Sequence, residues 1–391
     1  KKFGCGKFLS QEVEKPSCLK KIPRRYKRYG IPLEVFEKEL EEIRKKFYPG
    51  IIGVTSIMTY WYPGVFEVIK KVKEKFPQVP LVLGGIYATL CFDHAKNFSG
   101  ADYIIRGKGE IEMLKLIDSL EGEKRDYLEI KKDMEKKDIF PAYHLLSKKD
   151  SLAITTSRGC PFRCSYCVSN VLEERFYQKN PEKVIEEIEY CLKNFGVQDV
   201  AFYDDALLVN AEHHIVPILE GIIKKPALRN LRFHTPNGLH TKFVNREIAE
   251  LFYAANFKTI RLSFESISPE VQERSSSKVT EEDLLYAIKN LKKAGYRGDD
   301  IGVYILVGLP GQEKKEVIDT IKFVKKQKVK VKIAQFSPIP QTADFEKALK
   351  LTTLPLKEEP LFQNNSIFYL WHDKIGYEDL MQIKNLANQG G

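Results

Sequence analysis

The sequence has no long apolar run, and this absence sets the first limit on its function. No stretch approaches the roughly 18 consecutive apolar residues of a membrane-spanning helix, so we expect no membrane span. The chain opens with two lysines and polar residues, unlike a secretory signal. No internal repeat or low-complexity tract appears. A 43% apolar content over 391 residues is enough for buried cores in two or three domains.

The cysteines also lack the spaced, even-numbered pattern of a disulfide framework. There are seven, and three of them, Cys160, Cys164 and Cys167, crowd into one short stretch. The other four are scattered, at Cys5, Cys18, Cys91 and Cys191. This pattern is typical of an intracellular metal site, so we expect a reducing, cytoplasmic location.

Acidic residues are in the minority, with 53 Asp and Glu against 63 Lys and Arg, for a net charge of +10. A basic excess can serve an anionic partner such as nucleic acid, a lipid headgroup or a phosphorylated substrate. Only residues 20–28 form a nearly pure basic stretch, however, and runs such as 131–137 mix both signs. We therefore interpret the charge as a solvated surface and do not expect nucleic acid as a partner.

Short apolar runs alternate with amphipathic helical stretches, a pattern that predicts an α/β fold with parallel sheets. Residues 1–120 are predicted to form a doubly wound, Rossmann-like domain, with strands at 51–55, 80–83 and 102–105. The charged stretch 121–150 is interpreted as a linker. Residues 151–345 are predicted to form a partial (βα)₆ barrel, and 346–391 a less regular C-terminal extension. The six barrel strands are predicted at 152–156, 199–203, 232–235, 259–264, 302–307 and 332–336.

The motif CPFRCSYC at residues 160–167 follows the first of these barrel strands. Soft thiolate ligands suit iron, and three thiolates on one tight loop can bind three irons of a cubane cluster. The fourth iron is then open for a chelating substrate. A zinc knuckle is the alternative, but structural zinc usually takes four ligands in two pairs, and no second pair lies nearby.

A CxxxCxxC loop after the first strand of an α/β barrel resembles the radical S-adenosylmethionine (SAM) superfamily over about residues 151–345. The resemblance implies that Cys160, Cys164 and Cys167 hold a 4Fe–4S cluster. It also implies that SAM chelates the open iron and that reduction splits SAM to a 5′-deoxyadenosyl radical. An electron donor for the cluster would then be a partner.

Members of that superfamily contact SAM with motifs at the carboxyl ends of the barrel strands, and several positions match. Tyr166 matches the aromatic residue before the third cysteine, near the adenine. Asp204 and Asp205 end the second strand, where relatives keep an acidic group for the amino end of SAM. The other matches are Ser263 and Glu265 after the fourth strand, toward the ribose and carboxylate, and Gly308 in the turn after the fifth, toward the adenine.

Three polar residues just beyond the third barrel strand are candidates for facing the substrate or the radical. They are His234, Asn237 and His240. A packed or solvated loop position explains each of them equally well.

The N-terminal part resembles the cobalamin-binding domain that precedes many radical SAM barrels. The resemblance rests on Ser56 at the end of one strand and on Gly84 and Gly85 at the end of the next, which in the family line the groove for the nucleotide tail. Glycine lets a backbone approach a ligand closely, and open α/β sheets bind ligands at their strand carboxyl ends. Tyr60 and Trp61 would either cover the corrin face or pack the domain seam.

One element of the cobalamin resemblance is missing. The usual Asp-x-His-x-x-Gly motif, whose His binds cobalt, is reduced to its final Gly in residues 25–30, and no His precedes His94. The resemblance therefore implies a cobalt without a histidine ligand. The alternative is a relict domain that no longer binds cobalamin.

These observations predict cobalamin-dependent methylation of an unactivated carbon in a small-molecule, lipid or peptide substrate. Two alternatives stay open. One is radical SAM rearrangement, cyclisation or C–C coupling without cobalamin chemistry. The other is an iron–sulfur redox or nucleic-acid-binding protein that does not cleave SAM. A tRNA methylthiotransferase is disfavoured, because neither a second three-cysteine site nor a small β-barrel RNA module is evident.

Overall fold

The computed structural model describes residues 8–22, 24–137, 140–146, 149–276 and 279–389, so Cys5 lies outside the described residues. The chain divides into two compact units, Lys1–Tyr127 and Leu128–Gly391. This division falls within the stretch 121–150 that the sequence predicts to be a linker, and part of that stretch forms a helix, Tyr127–Lys137. No described helix has both the length and the apolar character required to cross a membrane.

Strands and helices are numbered in chain order. The strands are β1 (Ser10–Glu12), β2 (Lys27–Tyr29), β3 (Ile52–Ser56), β4 (Leu81–Gly85), β5 (Tyr103–Ile104), β6 (Ser151–Ile154), β7 (Ser157–Arg158), β8 (Tyr177–Gln178), β9 (Asp199–Phe202), β10 (Arg232–His234), β11 (Leu239–His240), β12 (Phe257–Glu265), β13 (Ile301–Val307) and β14 (Lys330–Gln335). The helices are α1 (Leu33–Lys46), α2 (Tyr62–Lys75), α3 (Ile86–Leu90), α4 (Phe92–Phe98), α5 (Gly109–Glu121), α6 (Tyr127–Lys137), α7 (Ser169–Leu172), α8 (Pro181–Phe195), α9 (Ile215–Lys224), α10 (Pro226–Arg229), α11 (Arg246–Ala254), α12 (Pro269–Arg274), α13 (Glu281–Ala294), α14 (Lys314–Lys326), α15 (Ala343–Leu351) and α16 (Tyr377–Asn388).

The N-terminal unit is built on a parallel sheet of β3, β4 and β5, with β4 in the centre. Leu81, Val82 and Leu83 of β4 are buried, as expected for a central parallel strand covered on both faces. The predicted α/β class is confirmed. The described strands of this sheet lie in chain order, β3, β4 and β5.

The C-terminal unit contains the six predicted barrel strands, all parallel, in the order β6, β9, β10, β12, β13, β14. Amphipathic helices cover them. Helix α9 shows the pattern clearly: Ile215, Ile218, Leu219 and Ile222 recur at helical spacing and are fully buried. Because all the strands point the same way, their carboxyl ends form one edge, where chemistry in barrels is concentrated.

The C-terminal extension packs into the barrel core. Phe368 is fully buried and lies against Gly308, in the turn after β13. Gly308 has a φ of +93°, and a Cβ there would lie 2.5 Å from the Phe368 ring. The His372 ring bonds the Leu309 carbonyl at 2.8 Å. The extension therefore fixes the turn after β13.

Candidate active site

A pocket of about 370 Å³ opens at the carboxyl ends of the barrel strands. It brings together the cysteine loop and residues in or directly after six strands, β9 to β14. Its lining consists of Cys160, Phe162, Cys164, Tyr166, Cys167, Ser169, Asp205, Pro236, Asn237, Gly238, His240, Ser263, Glu265, Tyr304, Leu306 and Ala334.

All three clustered cysteines line this pocket. Burial, with smaller contributions from the Cys167 and Cys164 thiols, raises the pKa of Cys160 to about 11, so an iron that binds there must displace the proton. Within the described part of the chain, no three His, Cys, Asp or Glu side chains converge tightly enough for a single metal ion. A cubane cluster instead needs one thiolate for each of three irons, and three thiols along one pocket wall match that requirement.

The two adjacent aspartates at the end of β9 have different surroundings. Asp205 lines the pocket, and its Oδ2 accepts a hydrogen bond from Ser169 Oγ at 2.9 Å. Asp204 is buried outside the lining, where Oδ1 accepts four hydrogen bonds of 2.5–2.9 Å from the backbone and hydroxyl groups of Thr156 and Ser157. Burial raises the pKa of Asp204, against the effect of these bonds. Of the two aspartates only Asp205 thus lines the pocket, while Asp204 anchors the segment that leads into the cysteine loop, and their contact with SAM stays a prediction.

Glu265 has the most unusual backbone in the pocket. It lies at a break in the β12–β13 register and has a φ of +71°, a left-handed conformation that is costly for a non-glycine residue. The Glu265 side chain is buried. Burial of Tyr166, and to a smaller extent the nearby Glu265 carboxylate, raises the pKa of Tyr166 well above its usual range. Such strain persists only where the surrounding structure enforces it. Glu265 lines the pocket together with Ser263.

Gly308 lies outside the pocket lining, and its contact with SAM stays a prediction. Its backbone N–H donates to Gln312 Oε1 at 2.8 Å, and its Cα faces Phe368. The structure explains this glycine by a left-handed turn and close packing.

Of the three candidate catalytic residues, Asn237 and His240 line the pocket and His234 does not. His234 is buried between Asp199, at 3.0 Å from Nε2, and Thr259, at 3.0 Å from Nδ1. Although His234 is the last residue of β10, its ring bonds the first residue of β9 and lies outside the pocket lining.

Sequence reasoning missed several lining residues. The Phe162 ring stacks on His240 with centroids 4.5 Å apart. Tyr304 and Leu306 of β13 line the pocket as alternate residues of one strand. Side chains alternate between the two faces of a strand, and this alternation was the signal available in the sequence. It identifies the face that points into the barrel only when the closure of the barrel is known.

The predicted cobalamin residues lie at the carboxyl ends of β3 and β4. Ser56 is buried, and its hydroxyl donates to the Met58 carbonyl at 3.1 Å. A Cβ at Gly84 would meet only the Ile105 carbonyl, at 3.9 Å, so the backbone there is open to close approach. Gly85 is different: its φ is +91°, and a Cβ would lie 2.7 Å from the Ser56 carbonyl.

Two aromatic residues follow β3 in a short helical turn. Trp61 is 56% exposed, while burial raises the pKa of its neighbour Tyr60 to about 12. The exposed indole and the open Gly84 backbone follow the carboxyl ends of neighbouring strands, which is where such sheets bind ligands. These residues leave room for a ligand to approach this edge of the sheet.

Comparison with known proteins identifies both units. The family model of the radical SAM superfamily matches residues 154–324, and that of the B12 binding domain matches residues 27–117. The chain carries a B12 binding domain followed by a radical SAM domain. Its cofactors are accordingly a 4Fe–4S cluster and SAM, with cobalamin at the B12 binding domain.

Two relatives and one solved structure show which proteins this chain resembles. An uncharacterized methyltransferase of Pyrococcus horikoshii is 28% identical over 92% of this chain and 80% of its own length. An anaerobic magnesium-protoporphyrin IX monomethyl ester cyclase of Synechocystis is 28% identical over 45% of this chain and 40% of its own. The methyltransferase TsrM of Kitasatospora setae, solved with cobalamin and a 4Fe–4S cluster, superposes with a TM-score of 0.66 over 82% of this chain and 71% of its own, at 18% identity. The likeness to TsrM establishes the fold.

Replacing Glu265 with Gln is expected to weaken SAM binding about ten- to hundred-fold. A hydrogen bond to a charged group contributes roughly 1.5–3 kcal/mol, and Gln keeps the shape while removing the charge. The dissociation constant of SAM on anaerobically reconstituted protein measures the effect. Glu187→Gln is the matched control, because Glu187 is buried against Tyr143 and Lys179 away from the pocket. Equal SAM affinity in both variants would make Glu265 a structural residue.

Proposed function

We propose that this enzyme uses cobalamin to methylate an unactivated carbon of a small-molecule, lipid or peptide substrate. One observation carries the proposal: the thiols of Cys160, Cys164 and Cys167 line the same pocket as Glu265 and Asp205. When bound, the cluster supplies the electron that splits SAM, and cobalamin supplies the methyl group.

The proposed residue roles follow from position. The three cysteines hold the cluster, and the Glu265 and Asp205 carboxylates accept hydrogen bonds from the amino and ribose groups of SAM. These carboxylates also match the positive charge of the SAM sulfonium and ammonium.

Asn237 and His240 remain as residues that face the substrate. They lie on the pocket wall with Tyr304, whose hydroxyl donates to the Pro236 carbonyl at 2.9 Å. This contact holds the wall that carries Asn237.

The proposal includes an electron donor and a reducing compartment. The cysteines in the described ranges are all free thiols, which supports a cytoplasmic location. Reduction of the cluster requires a redox partner protein or a small reductant of low potential.

A second candidate is cyclisation without methyl transfer. It is favoured by the similarity to the Synechocystis cyclase. Product analysis distinguishes the two reactions, because methylation adds one carbon to the substrate and cyclisation adds none.

The decisive experiment is corrin uptake. Anaerobically purified protein is expected to take up about one hydroxocobalamin per chain, seen as corrin absorption bands that survive desalting.

His94, the only histidine in the described N-terminal unit, bonds the Tyr87 hydroxyl through Nδ1 at 2.6 Å and packs on Tyr62.

We therefore expect base-off cobalamin with no imidazole on cobalt. The electron paramagnetic resonance spectrum of Co(II) should lack nitrogen hyperfine splitting from a histidine. Protein that takes up no corrin would leave the cyclisation candidate, and nitrogen splitting would contradict the base-off form alone.

A further inference from the structure

The middle of the cysteine loop is held from two sides by the rest of the barrel. The backbone N–H of Ser165 donates to the Arg274 carbonyl at 2.8 Å, and that of Asp344 donates to the Ser165 carbonyl at 3.0 Å. The Ser165 hydroxyl also donates to Asp344 Oδ2 at 2.6 Å. Ser165 follows Cys164 directly, so these contacts fix the loop between two cysteines.

The two side chains that receive the loop form a buried ion pair. Arg274 Nη2 donates to Asp344 Oδ1 at 2.7 Å, and the side chains are only 8% and 0% exposed. Arg274 Nη1 also bonds the Pro310 carbonyl at 3.1 Å. One ion pair therefore joins the end of α12, the start of α15 and the turn after β13.

The segment that continues from Arg274 runs along the same loop. Ser276 Oγ accepts a hydrogen bond from the backbone N–H of Arg163 at 3.1 Å and lies 3.9 Å from Cys164 Sγ. Ser275 Oγ accepts a hydrogen bond from the Tyr166 hydroxyl at 3.3 Å. The loop is thus held at successive residues rather than at one point.

We propose that Arg274, Asp344 and Ser165 form a tether that positions the cysteine loop for cluster binding. These are positioning residues: none is placed as an iron ligand. Desolvation makes a buried ion pair a poor source of net stability, but its hydrogen bonds impose one geometry. A loop held in the bound geometry releases iron more slowly than a loop free to open, because partners behind metal ligands tune metal affinity.

The inference rests on the proposed cluster at Cys160, Cys164 and Cys167, and its test does not depend on activity. Anaerobically reconstituted protein is mixed with a ferrous chelator, and the rate of iron release is followed by absorbance. Ser165→Ala and Asp344→Asn are expected to release iron about tenfold faster than the parent, the lower end of the range for residues that support metal ligands. Ser165→Thr keeps the hydroxyl and is expected to release iron near the parent rate.

The matched control breaks another ion pair of the barrel. Arg232 binds Asp199 through two hydrogen bonds of 2.6 and 2.8 Å at the amino ends of β9 and β10, away from the pocket. Arg232→Gln should lower the unfolding temperature without faster iron release.

The outcomes separate the tether from the proposed function. If the parent binds no cluster iron, the proposed function fails. If the parent binds it and Ser165→Ala releases it at the parent rate, the tether alone is refuted. Ser165→Ala leaves the ion pair intact, so the test stands even if Asp344→Asn does not fold.

Discussion

Single replacement of Cys160, Cys164 or Cys167 by Ala is expected to remove the cluster and abolish SAM cleavage. Each thiol would hold a different iron, so loss of one leaves a cubane with two protein ligands. Cluster iron should fall from about four per chain to near zero. Iron and sulfide analysis after anaerobic reconstitution measures the cluster, and chromatography of 5′-deoxyadenosine measures cleavage.

Cys191→Ala and Cys91→Ala are the controls, and both should retain the cluster. Both side chains are buried. Neither of them lines the pocket that the three clustered cysteines share. Loss of cluster iron from either control would overturn the assignment of three ligands.

Gly84→Val is expected to abolish corrin uptake and leave the fold intact. A Cβ at Gly84 has ordinary space around it, with its nearest neighbour 3.9 Å away, so the new side chain would extend into the proposed groove. Hydroxocobalamin retained after desalting should fall to background, while cluster iron should be unchanged. Gly53→Val is the matched control and should bind corrin: Gly53 lies in the adjacent strand, and a Cβ there would lie 3.8 Å from Met113 Cε.

Gly85→Val is expected to disrupt the N-terminal unit itself. Its Cβ would lie 2.5 Å from Thr55 Oγ1 and 2.7 Å from the Ser56 carbonyl, and the left-handed φ adds about 1–3 kcal/mol of strain. Loss of protease resistance or of a thermal transition should therefore accompany loss of corrin. Undiminished corrin uptake by Gly84→Val would show that the groove lies elsewhere.

The barrel could be predicted from the sequence because buried parallel strands are continuous apolar runs separated by amphipathic helices. The cysteine motif could be predicted because its spacing lies within one loop. Asp204 and Asp205 could not be separated, because adjacent residues at a strand end face opposite sides and only the barrel curvature decides which side is the pocket. The adjacent residues Gly84 and Gly85 could not be separated from the sequence for the same reason.

Contacts between distant parts of the chain were beyond prediction for a different reason. The role of Gly308 depends on Phe368, and the position of Ser165 depends on Asp344 and Arg274. No local pattern shows that such residues meet. The helix Tyr127–Lys137 was missed because its dense charge resembles that of a linker.

The packing of Phe368 on Gly308 also sets the order in which parts of the barrel can become fixed during synthesis. The ribosome synthesises every residue proposed to bind the cluster or SAM before it synthesises Phe368. The nascent barrel therefore contains its cofactor-binding residues before the turn after β13 is fixed. Arg274 binds that same turn through Pro310. Cofactor loading is therefore expected after translation, once the C-terminal extension has docked. A shortened chain that keeps all three cysteines but ends before Phe368 would make a poor minimal enzyme.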